Sequence, residues 1–159
     1  MSSGPSNPAL EAVARSGLKH EIVRTEPASS AEESARFQNV APEQLLKSIV
    51  VRRGEGDHIF VLVPGPRQID WKKLRKHLGV SRVSMPDRDE AKRVTGYDVG
   101  TITPFGSATE LQVIIDASAD SGIVTLGGGE RGVNIHADVK ELAAALDAKF
   151  ADITGIASD

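Results

Sequence analysis

The chain contains no cysteine. That removes a disulfide framework, a thiolate nucleophile and any cysteine-based zinc site. Aromatic residues are scarce, at one Trp, one Tyr and four Phe, so the core must be built mainly from aliphatic side chains. No apolar run approaches the roughly 18 to 20 residues that a membrane helix needs. The opening Met1-Ser2-Ser3-Gly4-Pro5-Ser6-Asn7-Pro8 has neither a basic start nor an apolar stretch, so it does not read as a secretory signal. It is expected to form a short disordered lead over residues 1–8, ahead of one domain over residues 9–155. The cytoplasm is the expected compartment. Basic residues are not in excess either: the net charge is −3, which excludes a globally basic nucleic-acid binder but not a local basic face.

What the chain does have suits a globular domain. Apolar residues make up 40% and charged residues 26% of 159 positions, enough for a single sizeable core. Leu10, Val13 and Ala14 predict a short amphipathic helix ending at Gly17, and Glu21 to Arg24 a brief strand. Ser30-Ala31-Glu32-Glu33 is a capping box that starts a second helix through Phe37. Leu45 to Arg53 and Ile59 to Val63 predict a hairpin across Gly54-Glu55-Gly56-Asp57. Ile69, Trp71, Leu74 and Leu78 form a helical stripe, and Pro86-Asp87 opens a helix that stops at Gly96. Val83 to Met85, Leu111 to Ile115, Ile123 to Leu126 and Val133 to Ile135 are strand candidates, and Asp138 caps a final helix. Hairpins outnumber regular βαβ alternation. The expected class is therefore α+β, a curved, largely antiparallel, barrel-like sheet flanked by helices.

Gly127, Gly129 and Gly132 match the dinucleotide-binding spacing G-x-G-x-x-G. That motif needs a helix beginning at the glycines, whereas Val133-Asn134-Ile135-His136 alternates as a strand. Two readings remain: a tight turn that needs glycine's backbone freedom, or bare backbone whose N–H groups face a ligand oxygen.

Lys47 is the one charge within Leu45-Leu46-Lys47-Ser48-Ile49-Val50-Val51. Either it sends its ammonium to solvent along its own stem, or the ammonium stands at the mouth of a pocket, where desolvation lowers its pKa. His20, His58, His77 and His136 lack metal-ligand spacing, and no Gly-x-Ser-x-Gly elbow is present. No metal or cofactor is expected. The loop Thr95-Gly96-Tyr97-Asp98-Val99-Gly100-Thr101-Ile102-Thr103-Pro104-Phe105-Gly106 is too apolar for free solvation and is expected to pack as a wall.

Lys47 in its Leu-Leu-Lys-Ser context, the Thr-Gly-Tyr…Gly…Pro-Phe-Gly loop and Gly-Gly-Gly-Glu-Arg-Gly occur in that order. In this the chain resembles the YbaK/prolyl-tRNA-synthetase-associated editing domain family, over roughly Leu18 to Leu146. The resemblance implies a mixed α/β domain with a barrel-like sheet that hydrolyses mischarged aminoacyl-tRNA, often tRNA for proline. The acceptor end of the tRNA is the implied partner, with an aminoacyl-tRNA synthetase as a second. It makes Lys47 the functional lysine, with Gly128 and Gly129 as backbone donors to the ester oxygen. Ser48, Gly100, Thr103, Pro104, Phe105, Gly106, Gly127 and Asn134 become the substrate-contacting set. Gly127 stands where some relatives have serine, and Asn134 where some have an acid, which bears on amino-acid specificity. Lys72, Lys73, Arg75 and Lys76, outside the apolar stripe of their helix, are candidate tRNA contacts or an ordinary solvated face. The alternative function is a non-catalytic module that binds tRNA or a nucleotide.

Overall fold

The computed structural model describes residues 7–156. The first helix, α1 (Pro8–Arg15), begins where the Asn7 side chain accepts from the Leu10 N–H at 2.8 Å, with proline at the first helical position. Asn7 and Pro8 therefore belong to the helix start rather than to a disordered lead. The rest of that lead lies outside the described residues. After β1 (Glu21–Arg24), α2 (Ala31–Phe37) opens on Ser30, which accepts from the Glu33 N–H. The box is displaced by one residue on its other arm, because the Glu33 carboxylate accepts from the Ser29 N–H at 2.8 Å.

The expected hairpin is formed by β2 (Leu46–Gly54) and β3 (Asp57–Pro64), with Lys47 opposite Val63. β3 is apolar on both faces because both are covered. Phe60 and Leu62 point into one core with Leu46, Leu126 and Ile135, while Ile59, Val61 and Val63 point into another with Leu74 and Ile153. The short β4 (Arg67–Ile69) follows, then α3 (Trp71–Leu78) and α4 (Arg88–Thr95). Val83 to Met85 does not make a strand of its own; Ser84 forms a single bridge to Arg52.

β5 (Gln112–Asp116), β6 (Ile123–Gly127), β7 (Val133–Asp138), α5 (Val139–Leu146), β8 (Lys149–Ala151) and β9 (Thr154–Ile156) complete the order. The strands assemble as β1-β7-β6, β2-β3-β5-β8 and β4-β9. A parallel bridge from Leu45 to Thr125 joins the first two sheets. Four strand pairs are antiparallel, and β3–β5 and β5–β8 are parallel. The α+β class and the antiparallel bias hold, but the sheet does not close into a barrel. It stays open between β1 and β8.

Candidate functional site

The seam where β2 meets β6 opens into a cavity of about 400 Å³. Leu45 to Ser48 supply one wall and Thr125 to Gly127 another. Gly100, Thr101 and Ile102 form a third, and Glu130 to Asn134 with the segment leading into α2 complete it. Lys47 and Gly127 therefore share one cavity, as do Ser48, Gly100 and Asn134. A second cavity of about 830 Å³ adjoins it, with Thr101, Glu130 and Arg131 common to both.

Lys47 is half-buried, and its Nζ donates to the Arg67 carbonyl at 2.7 Å. Burial pushes its ammonium below the usual lysine range, because removing water disfavours the charged form. Of its three N–H groups, one goes to Arg67 and two remain for a ligand. The Ser48 hydroxyl, one residue on, is buried without a hydrogen-bond partner among the described residues.

The polar wall opposite is organised by Gln38. Its Oε1 accepts from the Thr125 hydroxyl at 2.6 Å and from His136 Nε2 at 2.8 Å, while its Nε2 donates to Ser34 Oγ at 2.8 Å. Those bonds set hydrogen-bond polarity: Ser34 is left with a donor for the cavity, and Thr125 with acceptor lone pairs. Burial lowers the His136 pKa, and the Glu21 carboxylate opposes that only in part. Asn134 Nδ2 donates to the Val23 carbonyl at 3.2 Å.

The loop expected to be a wall divides in two. Gly100 lines the cavity together with Thr101 and Ile102. Thr103, Pro104, Phe105 and Gly106 do not line it. Thr103 and Phe105 are core residues, and the Tyr97 hydroxyl staples the loop by donating to the Phe105 carbonyl at 2.6 Å. Gly106 lies against α1: an added Cβ would come within 2.4 Å of the Pro8 carbonyl oxygen. These residues support the wall from behind.

The glycine run divides similarly. Gly127 faces the cavity, and a Cβ there would meet only the Ile102 carbonyl oxygen, at 3.5 Å. The Gly128 N–H donates to the Val133 carbonyl at 2.8 Å. The role expected for it as a donor to the ester oxygen is therefore corrected, because that hydrogen closes the turn. Gly129 has φ +91°, and a Cβ on it would lie 2.9 Å from the Ala9 Cβ and 3.2 Å from Tyr97. It lines the second cavity, not the first. Lys72, Lys73, Arg75 and Lys76 lie on α3 and contribute nothing to the cavity wall. Ser30, Ser34 and Thr125 are wall residues that sequence reading missed; the capping serine was legible, but its proximity to Lys47 was not.

The model of the aminoacyl-tRNA editing domain matches residues 25–149. The chain belongs to this family. The residues that carried the resemblance, from Lys47 to the glycine turn, fall inside the matched segment. Among curated relatives, the proline–tRNA ligase of Trichlorobacter lovleyi is 31% identical over 99 residues, covering 62% of this chain and 17% of the ligase. The proposed Cys-tRNA(Pro)/Cys-tRNA(Cys) deacylase EbsC of Enterococcus faecalis is 24% identical over 137 residues, covering 86% of this chain and 84% of that protein. A crystal structure described as a candidate trans-editing enzyme for prolyl-tRNA synthetase superposes with TM-score 0.85 at 27% identity, covering 96% of this chain and 99% of that one. The chain thus spans only 16% to 22% of the proline–tRNA ligases it matches, but nearly all of the free-standing structure. No helix among the described residues is long and apolar enough to cross a membrane.

Proposed function

We propose that this editing domain hydrolyses the ester bond of mischarged aminoacyl-tRNA, with tRNA for proline as the carrier. The observation that carries the reading is that the half-buried Lys47 lines one cavity with Gly127 and Gly100. A volume of about 400 Å³ suits a small ligand such as an amino acid esterified to a ribose. The two remaining N–H groups of Lys47 attract the ester carbonyl or a neighbouring phosphate, where low polarity strengthens the attraction. Water attacks the carbonyl carbon, the bond to the ribose oxygen breaks, and that oxygen takes up a proton. The products are free amino acid and uncharged tRNA. An ester is reactive enough that no side-chain nucleophile is invoked.

Ser48 and Asn134 complete the proposed contacts to the aminoacyl group, and the missing side chain at Gly127 leaves room for it. On α3, the exposed Lys72 and Lys76, with Arg75, remain proposed contacts to the tRNA backbone. Lys73 is less available, since its Nζ donates to Asp152 at 3.0 Å and to the Thr154 carbonyl at 3.1 Å.

The binding-module reading keeps one supporting observation: among the described residues no histidine lines the cavity, and Lys47 bonds the Arg67 carbonyl rather than Glu130, the carboxylate in the same lining. A panel of purified mischarged tRNAs, scored for amino-acid release, separates the two. Release at a rate above the buffer control supports the deacylase. Protection of the ester by bound protein would replace it with the binder.

A further inference from the structure

We infer that Arg67 is a positioning residue for Lys47, and that the C-terminal strand β9 acts through it to set where the ammonium stands. The Arg67 carbonyl is the acceptor that holds Lys47 Nζ. That carbonyl belongs to β4, a strand of three residues whose partner in the ladder is β9, with Arg67 opposite Ile156 and Ile69 opposite Thr154. A two-stranded sheet this short is marginal by itself. Its position must come from side-chain contacts.

Those contacts converge on Arg67. Its Nε donates to Thr154 Oγ1 at 2.7 Å and lies 3.7 Å from Asp116 Oδ2, while Nη2 donates to the Thr154 carbonyl at 3.4 Å. Thr154 and Asp116 are both buried. Burial works to raise the Asp116 pKa, but hydrogen bonds from Ser118, the Ile153 N–H and Thr154 outweigh it and keep the carboxylate ionised. The Ile153 N–H reaches Asp116 Oδ1 at 3.2 Å, and the Ile153 carbonyl accepts from the Asp70 N–H at 2.9 Å. Arg67 is therefore held from β5 and from both sides of the entry to β9. β9 itself lies beyond residues 25–149, the segment matched by the family model.

The consequence for Lys47 is direct. A lysine stem samples many rotamers, and a carbonyl fixed at one point removes most of them before substrate arrives. The same carbonyl favours the charged ammonium against the burial that disfavours it. The other groups around the cavity do not duplicate this. The β6–β7 turn brings Glu130 and Arg131 to its lining, and the α2 segment and the Gly100 to Ile102 loop bring neutral residues alone; Arg67, backed by Asp116, lines a separate cavity.

Thr154→Val removes the Oγ1 acceptor, keeps the backbone ladder and changes no charge. Arg67→Lys keeps the charge but loses the guanidinium's fork. The Lys47 ammonium is titrated in each variant by NMR of its side-chain carbon and nitrogen, on the protein without substrate. Expected is a downward shift of the Lys47 pKa by about half a unit or more, with cooperative unfolding retained. In deacylation, a test that rests on the function proposed above, kcat should fall about tenfold with KM changed less than twofold. Folded Thr154→Val and Arg67→Lys variants with the wild-type Lys47 titration would overturn the inference. A shifted titration alongside a wild type inactive on every charged tRNA would uphold the positioning role and sink the deacylase reading instead.

Discussion

The Lys47 cavity and helix α3 are the two basic features of the molecule that invite a functional reading, and they differ in what else explains them. On α3, Asp70 accepts from the Lys72 and Lys73 N–H groups at 3.1 Å, and Arg75, Lys76 and His77 occupy the last turn. An acceptor at the start and cations at the end are what an isolated helix needs against its own dipole. Its buried face is satisfied by Leu74. Helix stability thus accounts for Arg75 and Lys76 without a ligand, and the bond to Asp152 accounts for Lys73. Nothing comparable accounts for Lys47. It stands as a charge within the apolar start of β2, loses hydration and gains a single carbonyl partner. Charge that the fold does not require marks the site better than charge density does.

The most severe way to break this contrast is Lys47→Ala. We expect deacylation of mischarged tRNA to fall by about a hundredfold to a thousandfold, the usual consequence of losing one oxyanion donor, with the circular dichroism spectrum unchanged. A folded variant at full rate would leave Lys47 as ornament on the cavity wall. Next in size is the split among the glycines. Gly129→Ala must place a Cβ at positive φ against Ala9 and Tyr97, and should destabilise the fold by about 2 kcal/mol or more in urea unfolding. Gly127→Ala meets only an ordinary contact and should cost less than about 1 kcal/mol, while reducing turnover by crowding the cavity. Equal losses of stability would erase the distinction between a structural and a site glycine.

A milder test concerns α3. Replacing Lys72 and Lys76 with glutamine should reduce the slope of log tRNA affinity against log salt by about 1 to 2, if each neutralises a phosphate. An unaltered slope would mean the helix charges serve only the helix and solvation. The smallest effect concerns the pH dependence of stability. Lys47 has a lower pKa folded than unfolded, so the unfolded chain binds more protons between those two values, and the lysine's destabilising contribution shrinks as pH rises through that window. Lys47→Met should therefore melt no lower than wild type at neutral pH. Its advantage should narrow as pH climbs toward about 10.4, the unperturbed lysine value. An advantage that widened with pH would show that Lys47 is held by more than its one carbonyl.

Much of the local structure was legible because it is locally caused. Ser30, Asp87 and Asp138 cap the helices they precede, each through its own side chain. The strand after the glycine run excluded a dinucleotide loop, and β7 is that strand. The missed elements, β4, β8 and β9, are three residues each. Such segments carry no periodicity to read, and Arg67 and Thr154 meet across 87 positions. Gly128 failed as a donor for a related reason: where its N–H goes depends on how the turn brings Val133 back. Phe105 and Thr103 were rightly assigned to a packed loop, but whether a packed side chain faces the cavity or the core is not written in its identity.

By itself the sequence determined the class of fold, the helix starts, the family and the one lysine set within an apolar strand, since each follows from nearest neighbours, periodicity or motif order. Tertiary structure alone decided which glycine faces the cavity, that α2 and Thr125 close it, and that a strand at the far end of the chain holds the carbonyl to which Lys47 is tied. Those outcomes depend on the register between segments remote in sequence, and register is set only when the two cores on either side of β3 pack at once.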